Sequence, residues 1–308
     1  MPRTVVALVG ATATGKTALA ETLAARLVGE VVCADARQVF RELEKGTGKP
    51  TPAERAVLPH HLFDWLSLGE RPTAGGWARA AASVCEGCFA RGTVPVLVGG
   101  SGLYVEALQR GLHPEPPADT GVRARLQREC ESAGVEAMHE RLTRLDPDAA
   151  RSLKPRDRQR VLRALEVVEV SGHTLGWWRE HARETPLVAD WRAFQIVVEP
   201  GVLRARIAER TEAMWRDGLL EETRALVAAG KQEALRRLSA IGYDEALEVL
   251  SGRLAPEAAR QAISLRTAQL AKRQRTWFRH QLSAAAIDAT AGALEPAVID
   301  AVLEAVGR

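Results

Sequence analysis

The first apolar residues come as a run rather than an alternation. TVVALV, residues 4–9, is nearly all apolar and rich in β-branched side chains, the pattern of a parallel strand buried on both faces. ALAETLAARL, residues 18–27, switches to helical spacing. Three more short runs, EVVCA (30–34), VPVLVG (94–99) and AFQIVV (193–198), are separated by helical patterns, and such alternation predicts a doubly wound parallel α/β sheet. From Thr120 to about Thr185 the pattern is helical, entered through the Pro-rich break HPEPPAD (113–119) and left through TPLVADW (185–191). Everything from Gly201 onward is expected to be helical, beginning with VLRARIAERTEAMWRDG, which closes on Gly218.

The chain is 308 residues long and 46% hydrophobic, enough for one large α/β domain and a smaller one. No run of eighteen apolar residues occurs, so no membrane span is expected, and a strand starting near Thr4 leaves no room for a signal peptide. A cytoplasmic protein is the expectation. Cys85 and Cys88 form a C-x-x-C, but Cys33 and Cys130 supply no second pair at metal spacing, and ARAAASVCEGCFARG reads as an Ala-rich helix. The two thiols are expected to pack rather than bind zinc or do redox work.

Charge changes the picture more. The net value is only +3, yet Arg151 to Arg163 holds six Lys or Arg against the single acid Asp157. Ala258 to Ile287 holds six more and no acid, interleaved with Trp277, Phe278 and His280. Two basic runs in one near-neutral chain point to nucleic acid.

The chemistry begins at Gly10 to Thr17, GATATGKT, a G-x-x-x-x-G-K-T loop between the first strand and the first helix. In such a loop Gly10 and Gly15 let the backbone curl, and the amides of Ala11, Thr12, Ala13 and Thr14 turn toward an anion. Lys16 adds a charge and Thr17 can ligate Mg²⁺. Ligands of parallel sheets bind beyond the carboxyl ends of the strands, where Asp35, with Ala36, Arg37 and Gln38, and then Ser101 in Gly-Gly-Ser-Gly follow later strands. An ATPase would normally end VPVLV in an acid; here it ends in Gly-Gly-Ser. A kinase binding ATP, a transferase with another phosphorylated donor and a non-catalytic nucleotide-binding switch on RNA all remain open on these residues, with Asp35 a candidate general base.

Eight segments together resemble the tRNA dimethylallyltransferase (isopentenyltransferase) family: GATATGKT (10–17), Asp35 with Gln38, GTGKP (46–50), PHHLFD (59–64), VGGSGLY (98–104), QRVLRALEV (159–167), AIGYDE (240–245) and AKRQRTWFR (271–279). They run over nearly the whole chain. The resemblance implies a P-loop α/β core, residues 1–113 with 186–308, and an inserted all-helical domain, 114–185, that contacts tRNA. It implies transfer of the dimethylallyl group from dimethylallyl diphosphate to N6 of the adenosine 3′ of the anticodon, in tRNAs reading codons that begin with U. The loop would then hold the donor's diphosphate, with Arg210 closing from the far side. Asp35 would accept the N6 proton, with Thr17, Mg²⁺ and Ser101 assisting.

By the same resemblance the tRNA contacts are Asp35, Ala36, Arg37, Gln38, Ser101 and Arg123; Gln159, Arg160, Val161, Leu162 and Arg163; Ala240, Ile241, Gly242, Tyr243, Asp244 and Glu245; and Arg273, Gln274, Arg275, Thr276, Trp277, Phe278, Arg279 and His280. Arg206, one turn before Arg210, is a second candidate for the diphosphate. Helical spacing gives Arg266, Arg273, Trp277 and His280 one face. Departures from the family pattern are Ala36 for Ser, Phe40 for Tyr, and Lys154-Pro155-Arg156-Asp157 for Pro-Asn-Asp. The rivals are an adenylate isopentenyltransferase acting on free nucleotide and a small-molecule kinase. A monomer without an obligate partner is expected.

Overall fold

The computed structural model describes residues 3–112, 116, 119–181 and 185–307. Most of the Pro-rich break, and with it the expected boundary at 113/114, lies outside them. The chain divides into two compact units, Met1–Gln109 with Leu187–Arg308, and Arg110–Pro186.

In the larger unit β1 (Thr4–Gly10), α1 (Lys16–Leu27), β2 (Gly29–Cys33), the short α2 (Pro52–Arg55), the two-residue β3 (His60–His61), α3 (Ala74–Arg91), β4 (Val94–Gly99) and α4 (Gly102–Arg110) come first. Five helices of the smaller unit are next: α5 (Thr120–Ala133), α6 (Val135–Leu145), α7 (Pro147–Ser152), α8 (Arg158–Ser171) and α9 (Leu175–His181). The chain then returns through β5 (Asp190–Val197), α10 (Pro200–Arg216), α11 (Leu219–Ala228), α12 (Gln232–Leu238), α13 (Tyr243–Leu250), α14 (Pro256–Gln281), β6 (Ala285–Asp288) and α15 (Pro296–Val306).

All pairings in the six-stranded sheet are parallel, in the order β3-β2-β4-β1-β5-β6. β1 and β4 sit centrally, and their apolar side chains are buried on both faces. Burying each Val or Leu contributes about 1.5–3 kcal/mol, so the uninterrupted runs are the chain's strongest local commitment. Register sets where the strands end. Val9 lies beside Gly99, and Cys33 beside Val98, so the loops after β1, β2 and β4 leave the sheet level with one another.

The expectation that all of the chain beyond Gly201 is helical fails at β6. Ala285–Asp288 adds a parallel edge strand to β5, from Phe194↔Ala285 to Val197↔Asp288. Its side chains are mostly exposed, so backbone pairing alone makes it a strand and no apolar pattern announces it. α15 then packs back on α1, β5 and β6.

The smaller unit is a helical bundle whose core joins Leu126, Cys130, Met138, Leu142, Val161 and Leu165. Its buried Asp146 is a joint: the carboxylate caps α7 at the Ala149 N–H (3.0 Å) and accepts from the Leu175 N–H (2.8 Å) at the start of α9.

Candidate active site

The loop after β1 curls through two left-handed residues, Ala13 (φ 63°) and Gly15 (φ 84°). Consecutive amides therefore face inward, at the N-terminus of the twelve-residue α1. The Thr14 hydroxyl and the Lys16 ammonium both donate to the Ala11 carbonyl, each at 3.0 Å. Burial lowers the Lys16 pKa to about 8, with nearby Asp35 opposing and Arg210 reinforcing the shift. The Thr17 hydroxyl makes no hydrogen bond among the described residues. Behind the loop, Ala293, between β6 and α15, packs directly on Gly15.

Asp35 lies two residues beyond β2. Its Oδ1 accepts from the N–H groups of Arg37 (2.8 Å) and Gln38 (3.4 Å), a turn closed by its own side chain. The carboxylate is thereby aimed, and Oδ2 is left without a partner among the described residues. Ser101, two residues beyond β4, takes the Ala36 N–H on its Oγ (2.9 Å) and so ties the two loops together while keeping its own proton to donate.

A cavity of about 820 Å³ opens here, within the range of ligand sites. Thr12, Asp35, Ala36, Arg37, Ser101 and Arg210 form part of its wall. Arg210 is half-buried, donates to the Thr47 carbonyl (2.8 Å), and feels the charge of Asp35. Arg206 does not reach the cavity: its guanidinium holds the carbonyls of Ala289 (3.2 Å) and Thr290 (2.7 Å) beyond β6. Of the two arginines, only Arg210 is placed to meet an anion.

The GTGKP segment, to which the sequence pattern alone attaches no role, is the far rim. Gln38 donates to the carbonyls of Thr47 and Gly48, both at 3.2 Å. Lys49, buried, donates to the Phe40 carbonyl (2.8 Å) and pairs with Asp64, which also pairs with Arg55. The Tyr243 hydroxyl accepts from the Gly46 N–H (3.1 Å) and donates to Glu222 (2.5 Å). No local pattern marks Thr47, Thr211 and Met214 as wall residues; they reach the cavity only through the fold.

Several residues expected to touch tRNA are inside the protein. Val161, Tyr243, Ala240, Phe278 and Glu245 are each less than 5% exposed, and Gln38 is 8% exposed. Val161 belongs to the helical core, and Glu245 caps α13 at the Gly242 N–H (2.8 Å) while pairing with Arg266. Arg266 also pairs with Asp244 (2.9 Å), so it does not share a free basic face with Arg273. Leu162 packs on the helical core; Arg123 and Arg163 both pair with the buried Glu166, at 2.6 and 3.1 Å.

Those left at the surface are Gln159 and Arg160 on one unit and Arg273, Thr276, Arg279 and His280 on the other. Ala36, Arg37, Ser101, Ile241 and Gly242 line the cavity. Arg275 and Trp277 are half-buried, and Gln274 is engaged within the protein at both ends of its amide.

The basic runs differ. In the first, Arg151, Arg156, Arg158 and Arg160 pair with Asp148, Glu136, Glu131 and Asp157. In the second, exposed Lys272, Arg273 and Arg279 form no ion pair among the described residues.

All four cysteines are buried and free. Among the described residues Glu30, His61 and Cys88 cluster closely enough to hold a metal. Glu30, however, already accepts from Arg91, Thr93 and His61, which hold its carboxyl at about 2. It is the acceptor of an ion pair with the exposed Arg91.

The model of the IPP transferase family matches residues 38–281, and that of the isopentenyl transferase family residues 3–64. A tRNA dimethylallyltransferase of Desulfovibrio desulfuricans is 37% identical over 305 residues, covering 98% of this chain and 91% of its own. Among solved structures, the full-length tRNA isopentenylpyrophosphate transferase of Bacillus halodurans superposes with a TM-score of 0.71 at 32% identity, covering 99% and 96% of the two chains. A eukaryotic dimethylallyltransferase acting on tRNA reaches 0.78 at 26% identity, covering 93% and 74%.

Proposed function

The chain belongs to the IPP transferase family and transfers a dimethylallyl group to tRNA, and from that premise we propose how its residues do so. The donor is dimethylallyl diphosphate, its diphosphate on the amides of residues 11–17 other than Thr12, whose N–H is held by Gln274, with Lys16 inside the loop and Arg210 across the cavity. The acceptor is N6 of the adenosine 3′-adjacent to the anticodon in tRNAs reading U-starting codons.

The N6 lone pair bonds to C1 of the dimethylallyl group while the C1–O bond breaks, and that electron pair leaves with diphosphate. The N6 proton passes to the free Oδ2 of Asp35. Negative charge grows where Lys16, Arg210 and the loop amides already point, which favours the transition state over the ground state. Ser101, with its proton unspent, steadies the amine or a diphosphate oxygen. The Thr17 hydroxyl is a hard oxygen donor with no hydrogen bond to lose among the described residues, so it suits Mg²⁺, which when bound would neutralise diphosphate charge.

The supporting observation is the fixed Asp35 carboxylate, one oxygen free, in the wall that also carries Thr12, Ser101 and Arg210. An exocyclic amine in a purine stack is out of reach, so the base must be flipped into the cavity. Exposed Arg273, Arg279 and His280, and Gln159 and Arg160 of the helical unit, hold the RNA. The protein works as a monomer in the cytoplasm; no described helix is long and apolar enough to cross a membrane.

The test is incubation with Mg²⁺, dimethylallyl diphosphate and an unmodified anticodon stem-loop, then digestion and mass spectrometry, with AMP and ATP as parallel substrates. N6-prenyladenosine in the RNA, with AMP untouched, is the expected result. Phosphoryl transfer from ATP without prenylation overturns the reading.

A further inference from the structure

The loop that holds the donor and the loop that carries Ser101 leave neighbouring strands, β1 and β4, whose pairing ends at Val9↔Gly99. Beyond that pairing a side chain from α14 links them. The Gln274 carboxamide accepts the Thr12 N–H on Oε1 (3.0 Å) and donates from Nε2 to the Gly100 carbonyl (3.0 Å). These partners are 262 and 174 residues away in sequence.

The surroundings are shaped to this amide. A Cβ at Gly100 would lie 2.2 Å from Nε2. One turn further along α14, Trp277 covers Gly102, where a Cβ would come within 2.0 Å of the indole ring. α14 is thus seated on the Gly-Gly-Ser-Gly loop by residues i and i+3 of one face. With one N–H and one lone pair committed to the backbone of two loops, the Gln274 amide is held in place by the protein, although it lies in a segment otherwise suited to RNA.

We propose that Gln274 is a positioning residue for prenyl transfer, holding the donor loop and the Ser101 loop at the separation the displacement requires. This rests on the proposed donor and acceptor sites. The Thr12 amide is spent on Gln274, so the diphosphate meets the remaining loop amides and its lateral position is set by the same tie. In-line displacement needs the nucleophile about 3–3.5 Å from C1, and an error of about 1 Å costs on the order of 10²-fold. A slack tie therefore slows the bond-making step.

The experiment compares wild type with Gln274→Met, which keeps length and loses both hydrogen bonds, and Gln274→Glu, which keeps an acceptor for Thr12 and loses the donor to Gly100. Single-turnover transfer is measured with stem-loop and dimethylallyl diphosphate both saturating, alongside stem-loop Kd and thermal melting. The expected result is a loss of about tenfold or more in the saturated rate for Gln274→Met, a loss at least as large for Gln274→Glu, whose acceptor-only carboxylate faces the Gly100 carbonyl, and a stem-loop Kd within about twofold of wild type.

A wild-type rate in Gln274→Met overturns the proposal. So does a loss confined to Kd, which would make Gln274 an RNA contact. Should the Met variant fail to fold, Gly100→Ala displaces Nε2 without altering α14 and is expected to give the same rate defect; a normal rate there overturns the proposal equally. Failure of the wild type to prenylate the stem-loop would strike the functional reading itself and precedes any variant.

Discussion

At the level of single residues, the decisive groups are those whose surroundings leave one function unspent. Asp35 has one oxygen committed to its own turn and one free. Asp35→Asn keeps the shape and removes the base, so the saturated transfer rate is expected to fall at least about 10²-fold with stem-loop Kd little changed; an active Asn variant would exclude proton acceptance by this residue. Lys16 makes a different prediction. Burial brings its pKa from 10.5 to about 8, so between those values the unfolded chain holds a proton that the folded one lacks. Stability of the donor-free protein from this group therefore rises as pH climbs through that window. Donor binding, which uses the ammonium, weakens over the same range, and calorimetry near pH 9 is expected to register proton uptake on binding. Binding without proton uptake at that pH would mean that Lys16 is charged before the donor arrives.

Among elements, what could be read from the sequence tracked how local the determinants are. β1, β2, β4 and β5 each carry enough apolar or β-branched residues to declare themselves, and the phosphate loop and Asp35 sit at fixed offsets from two of them. β3 and β6 are edge strands made by backbone pairing, with two residues in one and mostly exposed residues in the other. With β6 invisible in the pattern, the purpose of Arg206 was hidden too, because its partners lie just beyond that strand. AIGYDE was legible as a motif and misleading as a surface. Tyr243 bridges the Gly46 N–H and Glu222, and Glu222 in turn accepts from the N–H groups of Glu44 and Lys45. Tyr243→Phe removes hydrogen bonds to two half-buried partners and is expected to lower stability by about 0.5–1.5 kcal/mol while leaving stem-loop affinity unchanged at temperatures where the variant is folded. A selective loss of RNA binding with normal melting would return Tyr243 to the RNA interface.

For the whole molecule, counting basic residues overstates what is available to phosphate. Arginines of the first basic run must leave Asp148, Glu136, Glu131 or Asp157 before meeting RNA, whereas Lys272, Arg273 and Arg279 are exposed and form no ion pair among the described residues. Each phosphate contact contributes about 0.7–0.9 to the log-log salt slope. Replacing those three by Gln is expected to flatten the slope of stem-loop binding by about 2–3 units. Replacing Arg151, Arg156 and Arg158 is expected to change it by less than about one unit. Equal changes from the two sets would show that the ion pairs exchange freely for phosphate.

The packing of Ala293 on Gly15 and the grip of Arg206 on Ala289 and Thr290 bear on how the gene can be cut. The family match stops at residue 281, which invites a shortened expression clone ending there. Such a clone would keep every recognisable motif and lose the edge strand, the last helix and the residue that backs the phosphate loop. Its defect would surface at the opposite end of the chain, in the grip on diphosphate.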